Sequence, residues 1–414
     1  MRLKGLIRIV LPLALLAGGA SLFTSMKKKA PAAVEADAVP DWNSLITNDL
    51  SELPAMDNVV DSFMRFWALK GVSIAVTRGD SLVYARGYGK ADLTSPMTHG
   101  TTMRLASVSK LLTAVGILRL QEQGKVFLDT PVFGPYGVLS DYDKYIKDDN
   151  YYLITVEHLL RHQGGFHYRG QDVMFSRHTP VLEDFLRTEL GRPLAFEPGS
   201  WQQYSNFGYL LLSLVIEKAS GMPYADYMQK EVFEPCGCHG FRIAGNYLSD
   251  RQPGESMYFM QPDSEQTASF DGKYASVERC YGGNDITFLQ GAGAWIGSSV
   301  ELARLVSCIN DAGCVEEILS ADSIRRMTTW YDNDTFALGW VDCKPEGEWT
   351  RTGSFSGTSA LIKAFPDGEC WVFLSNTSAW RGSKFTRNTS YLVKNLRRRF
   401  GDQLPHRDLF ALQP

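Results

Sequence analysis

Three short stretches of the chain combine side chains that can carry out acyl transfer. The first is "LASVSKLLTAVGILRLQEQG", in which Ser107 and Lys110 stand three residues apart at the start of an apolar helix pattern. That spacing puts both side chains on one helix face, a turn apart. A helix start presents unpaired N–H groups and a positive dipole to an oxygen acquiring charge. A lysine among apolar neighbours is poorly solvated, which lowers its pKa toward that of a usable base. The second stretch is "WQQYSNFGYLLLSLVIEKASG", where Tyr204-Ser205-Asn206 opens another long apolar helix. A tyrosine near a cation can act as general base to a serine, and an asparagine two residues on offers its amide to a substrate carbonyl. The third, "WTRTGSFSGTSALI", sets Arg351-Thr352-Gly353-Ser354 at the start of a strand. There a backbone N–H can face a bound acyl group, and a cation and a hydroxyl can meet a substrate carboxylate. No one of these spacings is diagnostic alone: Ser25–Lys28 and Tyr331–Asn333 repeat two of them, in a terminal tail and before a strand pattern.

Elements must bring the three stretches together. "MDNVVDSFMRFWALKG" places Val59, Phe63, Phe66 and Trp67 on one helical face, with Gly71 as the stop. "VSIAVTRGDSLVYARGYG" reads as a hairpin turning at Arg78-Gly79-Asp80-Ser81. A helix is expected from Ser107, with Leu111, Ala114, Val115 and Leu118 on its apolar face and Gly124 ending it. Helices and loops follow to about residue 300. Two strands then turn around Pro366-Asp367-Gly368, and "TSYLVKNLRRRF" closes with an amphipathic helix. This order predicts an α/β protein in which both ends build one sheet lobe, about 55–105 and 300–400. A mostly helical lobe, about 106–299, is inserted between them.

The 414 residues, 44% hydrophobic and 12% aromatic, suit a large packed core, and a net charge of −4 gives no electrostatic case for nucleic acid. The basic runs Lys27–Lys29 and Arg397–Arg399 are local. "MRLKGLIR" followed by the apolar "IVLPLALLAGGASLF", with Gly18 and Ala20 suited to cleavage, predicts a signal peptide or membrane anchor over 1–26. A linker over 27–41 would lead to one domain at 42–414. The expected location is therefore exported, periplasmic or tethered to the inner membrane. The seven cysteines leave at least one unpaired, with Cys343/Cys370 and Cys308/Cys314 as open pairings. "CGCH" at Cys236–His239 lacks a second cluster. His158 and His162, with His167 nearby, are spaced for zinc but lack a metalloprotease glutamate, and ordinary packing is the favoured reading. The loop-rich stretch at about 240–290 is expected to border the cleft.

Ser-Val-Ser-Lys, Tyr-Ser-Asn and Arg-Thr-Gly, in that order, resemble the three motifs of the serine β-lactamase and penicillin-binding-protein superfamily. More narrowly they resemble its branch of class C β-lactamases, DD-peptidases and esterases, whose second motif begins with tyrosine. "ITVEHLLRHQGGF", "FEPGSWQQYSN" and "QGAGAWIGSSVELARL" agree, so the resemblance spans roughly residues 55–400. It implies a β-lactamase/transpeptidase-like α+β sandwich, an antiparallel sheet flanked by terminal helices. It also implies Ser107 as the acylated nucleophile, Lys110 as its base or relay, and Tyr204 as general base. Asn206 would bind the acyl-side amide, Arg351, Thr352, Gly353 and Ser354 would be further substrate-binding residues, with a carboxylate expected at Arg351, and the N–H groups of Ser107 and Ser354 would form the oxyanion hole. No metal or organic cofactor is implied, and the substrate would be a small molecule, peptide or ester. A peptidase or esterase is favoured over a true β-lactamase; a non-catalytic penicillin binder and a zinc hydrolase are the competing readings. One departure stands out. The third motif of this family usually starts with lysine or histidine, whereas Arg351 is planar, bulkier and unable to shuttle a proton.

Overall fold

The computed structural model describes residues 52–166, 172–175, 181–260, 266–311, 317–331, 334–344, 347–378 and 383–410. Its backbone is a five-stranded antiparallel sheet in the order β2-β1-β10-β9-β8. The strands are β1 (Gly71–Arg78), β2 (Ser81–Gly89), β8 (Trp349–Phe355), β9 (Thr358–Ala364) and β10 (Glu369–Ser375). β1 and β2 form the expected hairpin, and Gly79 takes φ +58 in its turn. Successive side chains of a strand point to opposite faces. Val72, Ile74, Val76, Trp371 and Phe373 accordingly face one core, while Ala75, Val372 and Leu374 face another.

Two terminal helices cover the first face. Helix α1 (Pro54–Trp67) contributes Met56, Val60, Met64 and Trp67, and α9 (Ser383–Phe400) contributes Phe385, Leu392 and Leu396. Trp67 and Phe385 meet edge to face at 5.1 Å, joining the helices. Two expectations need correction here. Phe66 is 77% exposed, not on the buried face. Gly71 is already in β1, and the helix stops at Ala68, which takes the left-handed φ of +51. The buried stripe belongs to the 56-60-64-67 row, and closing the core outranks glycine's backbone preference.

Most of the remaining described chain packs on the other face. It holds α2 (Ser109–Glu122), α3 (Val156–Leu160), α4 (Leu182–Leu190), α5 (Asn206–Ser220), α6 (Tyr224–Met228), α7 (Ser299–Ser307) and α8 (Ala321–Thr328). Short strands β3 (Met103–Arg104), β4 (Arg242–Ile243) and β7 (Trp295–Gly297) form a small sheet, and β5 (Gln266–Thr267) pairs with β6 (Val277–Glu278). Helix α2 is buried nearly all round: Leu111, Leu112, Val115, Ile117 and Leu118 are all inaccessible. Each such side chain contributes about 1.5–3 kcal/mol by leaving water, so the helix that carries Lys110 is anchored. Gly124 follows it with φ +68.

Candidate active site

Ser107 lies in a single 3-10 turn, Ala106–Val108, between β3 and α2. The regular helix starts at Ser109, two residues later than the sequence pattern places it. Ala106 adopts φ +48. A non-glycine residue there costs on the order of 1–3 kcal/mol and persists only where its surroundings impose it. They fix the chain just ahead of it: Leu105 N–H donates to the Trp295 carbonyl at 2.9 Å, and Thr358 Oγ1 donates to the Arg104 carbonyl at 2.8 Å.

The turn brings the Ser107 hydroxyl to two partners. Tyr204 OH lies 2.5 Å from Ser107 Oγ, and Lys110 Nζ lies 3.3 Å from it. Lys110 is completely buried and also donates to Asn206 Oδ1 at 2.6 Å and to the Ala292 carbonyl at 2.5 Å. Burial, and next the Arg351 cation, hold its pKa well below the ordinary lysine value, while Asp172 opposes them. A neutral amine has two N–H donors and one lone pair. In that neutral form the two short bonds would occupy both donors and leave the lone pair for Ser107. Burial raises the Tyr204 phenol above its ordinary value, against the pull of Arg351 and the Ser107 hydrogen bond. Lys110 Nζ also sits 4.7 Å from the Tyr204 ring centroid.

Ser205 caps α5, its hydroxyl accepting the Gly208 N–H at 3.0 Å. Serine is among the best caps because its short oxygen satisfies a donor that the helix leaves open. The cap sets Asn206 on the first turn, with Tyr204 just outside it. Asn206 is oriented from both ends: Oδ1 accepts from Lys110, and Nδ2 donates to Asp172 Oδ2 at 2.7 Å. The other Asp172 oxygen accepts the Met174 N–H at 2.9 Å.

Strand β8 is the edge of the sheet and runs beside the Ser107 turn. Its alternation turns Arg351 and Gly353 inward, leaving Thr352 half-buried and Ser354 exposed. Arg351 is 1% exposed and donates from Nε at 2.8 Å and Nη2 at 2.5 Å to the carbonyl of Ser107. The inward register of this strand position directs the guanidinium onto the nucleophile's own backbone, where Nε and Nη2 share one carbonyl acceptor. At Gly353 a Cβ would stand 2.2 Å from the Leu105 carbonyl and 3.1 Å from the Ser107 nitrogen, so only glycine lets the strand come this close.

Of the other sequence candidates, only His162 reaches the site among the described residues. Ser25, His167, Asn333 and Cys314 lie outside the described residues. Tyr331 is 47% exposed, beneath the Arg161 guanidinium at 4.4 Å. Cys236, Cys238, Cys280, Cys308, Cys343 and Cys370 are free thiols, so Cys343 and Cys370 do not bridge. His158 Nδ1 accepts the Thr155 N–H at 3.3 Å, and His162 is buried against Tyr204 with ring centroids 4.5 Å apart. Among the described residues no group of His, Cys, Asp and Glu is arranged to hold a metal ion. Sequence reasoning missed Asp172, the Ala292 carbonyl and the part His162 plays here. Asp172 stands in a loop without periodicity, Ala292 ends a 3-10 turn and acts through its backbone, and the spacing of His162 from His158 suggested zinc rather than packing on Tyr204.

Comparison with known proteins bears on the family and the fold. The family model described as Beta-lactamase matches residues 56–394. Penicillin-binding protein 4* of Bacillus subtilis (strain 168) is 32% identical over 184 residues, 43% of this chain and 39% of that protein. Esterase EstB of Burkholderia gladioli is 29% identical over 316 residues, 70% of this chain and 79% of that protein. Among solved structures, D-amino acid amidase from Ochrobactrum anthropi SV3 superposes with a TM-score of 0.67 at 18% identity, covering 84% of this chain and 98% of the amidase.

Proposed function

Because the chain belongs to the beta-lactamase family, we propose that it is a serine hydrolase cleaving esters or amides through an acyl-enzyme on Ser107. The observation that carries this reading is the contact of one hydroxyl, Ser107 Oγ, with both a buried lysine and a half-buried phenol. In the resting site Tyr204 donates to Ser107 Oγ, and Ser107 donates to the lone pair of neutral Lys110. Attack on the substrate carbonyl forms the Oγ–C bond while Lys110 takes the serine proton. The oxyanion is met by the N–H groups of Ser107 and Ser354, which the approach of β8 at Gly353 holds together. Collapse breaks the bond to the leaving group, which takes the Tyr204 proton. The resulting phenolate stands beside protonated Lys110 and Arg351, both cations favouring it. It then removes a proton from water, whose oxygen attacks the acyl carbon. As the ester breaks, Ser107 recovers its proton from Lys110, so the cycle consumes one water.

Arg351 supports a substrate without a leaving-group carboxylate, because its guanidinium is buried on the Ser107 carbonyl. The kinship with esterase EstB points the same way. Asn206 keeps one N–H free of Asp172 for the acyl side of the substrate. The basic start and apolar run of residues 1–26 support export of the catalytic domain, which fractionation tests. The test of the chemistry is covalent labelling with a fluorescent phosphonate, alongside turnover of short 4-nitrophenyl esters, D-amino acid amides and a chromogenic lactam. Labelling and ester turnover are expected and should vanish in Ser107→Ala. Label on another residue, or turnover surviving that substitution, would end the proposal.

A further inference from the structure

We propose that His162 is the positioning residue that holds Tyr204 in register with the nucleophile; the inference rests on the role given to Tyr204 above. The two backbone N–H groups flanking that tyrosine both end on this one residue. Gln203 N–H donates to the His162 carbonyl at 2.8 Å, and Ser205 N–H donates to His162 Nδ1 at 3.1 Å. The imidazole also covers the phenol ring, with centroids 4.5 Å apart and planes tilted by 35°. Phe336 meets the histidine ring at 4.6 Å and the tyrosine ring at 5.6 Å, closing another side of the same enclosure.

Two features set His162 apart from ordinary core packing. Its backbone is left-handed, with φ +60, a conformation that costs most side chains free energy and that asparagine, aspartate and histidine tolerate best. Its side chain is 2% exposed, yet Nε2 has no hydrogen-bond partner among the described residues. With Nδ1 accepting from Ser205, the ring proton must reside on Nε2. Burying such a donor is unfavourable, and an apolar ring would fill the same space without it. What an apolar ring lacks is the Nδ1 acceptor that fixes the peptide after Tyr204. The segment Gln203–Ser205 is thereby pinned at three points, two on the backbone and one across the phenol face, before α5 begins.

Two substitutions separate this role from strain relief and bulk. His162→Gly removes the strained φ, the acceptor and the ring. His162→Asn keeps a residue suited to the left-handed region and supplies Oδ1 near the place of Nδ1. Steady-state kinetics on a 4-nitrophenyl ester, well below each variant's thermal midpoint, are the readout. His162→Gly should lower kcat about 100-fold, the scale of a 1 Å misplacement of a reacting group, with KM little changed. His162→Asn should recover kcat to within about tenfold of the parent, a residual of one decade in the barrier. Equal kcat in the Gly and Asn variants, or a Gly variant as fast as the parent, overturns the proposal. If His162→Gly does not fold, the Asn variant decides alone: retained kcat supports the assignment, and a 100-fold loss at an unchanged thermal midpoint overturns it. Ester turnover that survives Ser107→Ala would instead overturn the functional reading, so the two failures are distinct.

Discussion

Replacing Arg351 with methionine tests the geometry and the electrostatics of the site together. The guanidinium holds the Ser107 carbonyl through Nε and Nη2, and a hydrogen bond from a charged group contributes about 1.5–3 kcal/mol. At about 1.36 kcal/mol per decade of rate, losing one such bond from the transition state slows turnover about 10- to 150-fold. The charge acts separately. Arg351 is one cause of the lowered Lys110 pKa and of the restraint on the Tyr204 phenol, so its removal raises both. The acid limb of kcat/KM should therefore move to higher pH. Arg351→Lys keeps the charge but not the planar fork; it should leave the limb in place and lose only part of the rate. The assay is kcat and KM from about pH 5 to pH 10, spanning the ordinary histidine and tyrosine ranges, on a neutral 4-nitrophenyl ester and on a carboxylate-bearing lactam or D-peptide. Equal losses in kcat on both substrates are expected. A rise in KM confined to the carboxylate-bearing substrate, with kcat and the acid limb unmoved, would refute the reasoning and restore a substrate contact for Arg351.

Tyr204→Phe should retain substrate binding and lose about 10²–10⁴-fold in kcat, the usual contribution of general acid–base catalysis, whereas exposed Tyr331→Phe should be silent; parallel steady-state kinetics check both. Activity should rise as Lys110 loses its proton, at a pH below the ordinary lysine value, and fall when the Tyr204 phenol ionises above its own ordinary value; a pH–rate profile measures both limbs. The same lysine sets a sign for stability. Its folded pKa lies below its unfolded one, so between the two values the unfolded chain binds more protons. Denaturant unfolding should therefore show stability rising with pH across that window and falling as pH drops through it, an effect that Lys110→Met removes. Gly353→Ala should push β8 off the Leu105 carbonyl, costing about 1–3 kcal/mol as overpacking does and most of the activity; a thermal melt and an ester assay check it.

What could be read from the sequence was whatever repeats locally. The hairpin at Gly79, the strand pair around Gly368 and the apolar run after Lys110 each follow a period or a turn signal, and each is present. Arg351 shows where such reading stops. Alternation along β8 already places it on one face with Gly353, but which face is buried depends on where the Ser107 turn packs, a tertiary fact. Asp172 stands 34 residues before Asn206 in a loop without periodicity, so nothing local marks it as the partner of that amide. Phe66 failed for a related reason. Any four apolar residues near one helical face fit the period, and only the neighbouring helix selects the row that is buried.

The reactive serine is assembled from pieces distant in the chain. Its contacts reach 97 residues ahead to Tyr204 and 244 residues ahead to Arg351, and its lysine leans on a carbonyl 182 residues away. Those contacts close long loops, so none can exist in a partly folded intermediate that has formed only its local helices. Ser107 in such a species is an ordinary alcohol. Reactivity toward an acylating probe is thus a readout of complete folding, and after dilution from denaturant it should appear later than helical circular dichroism.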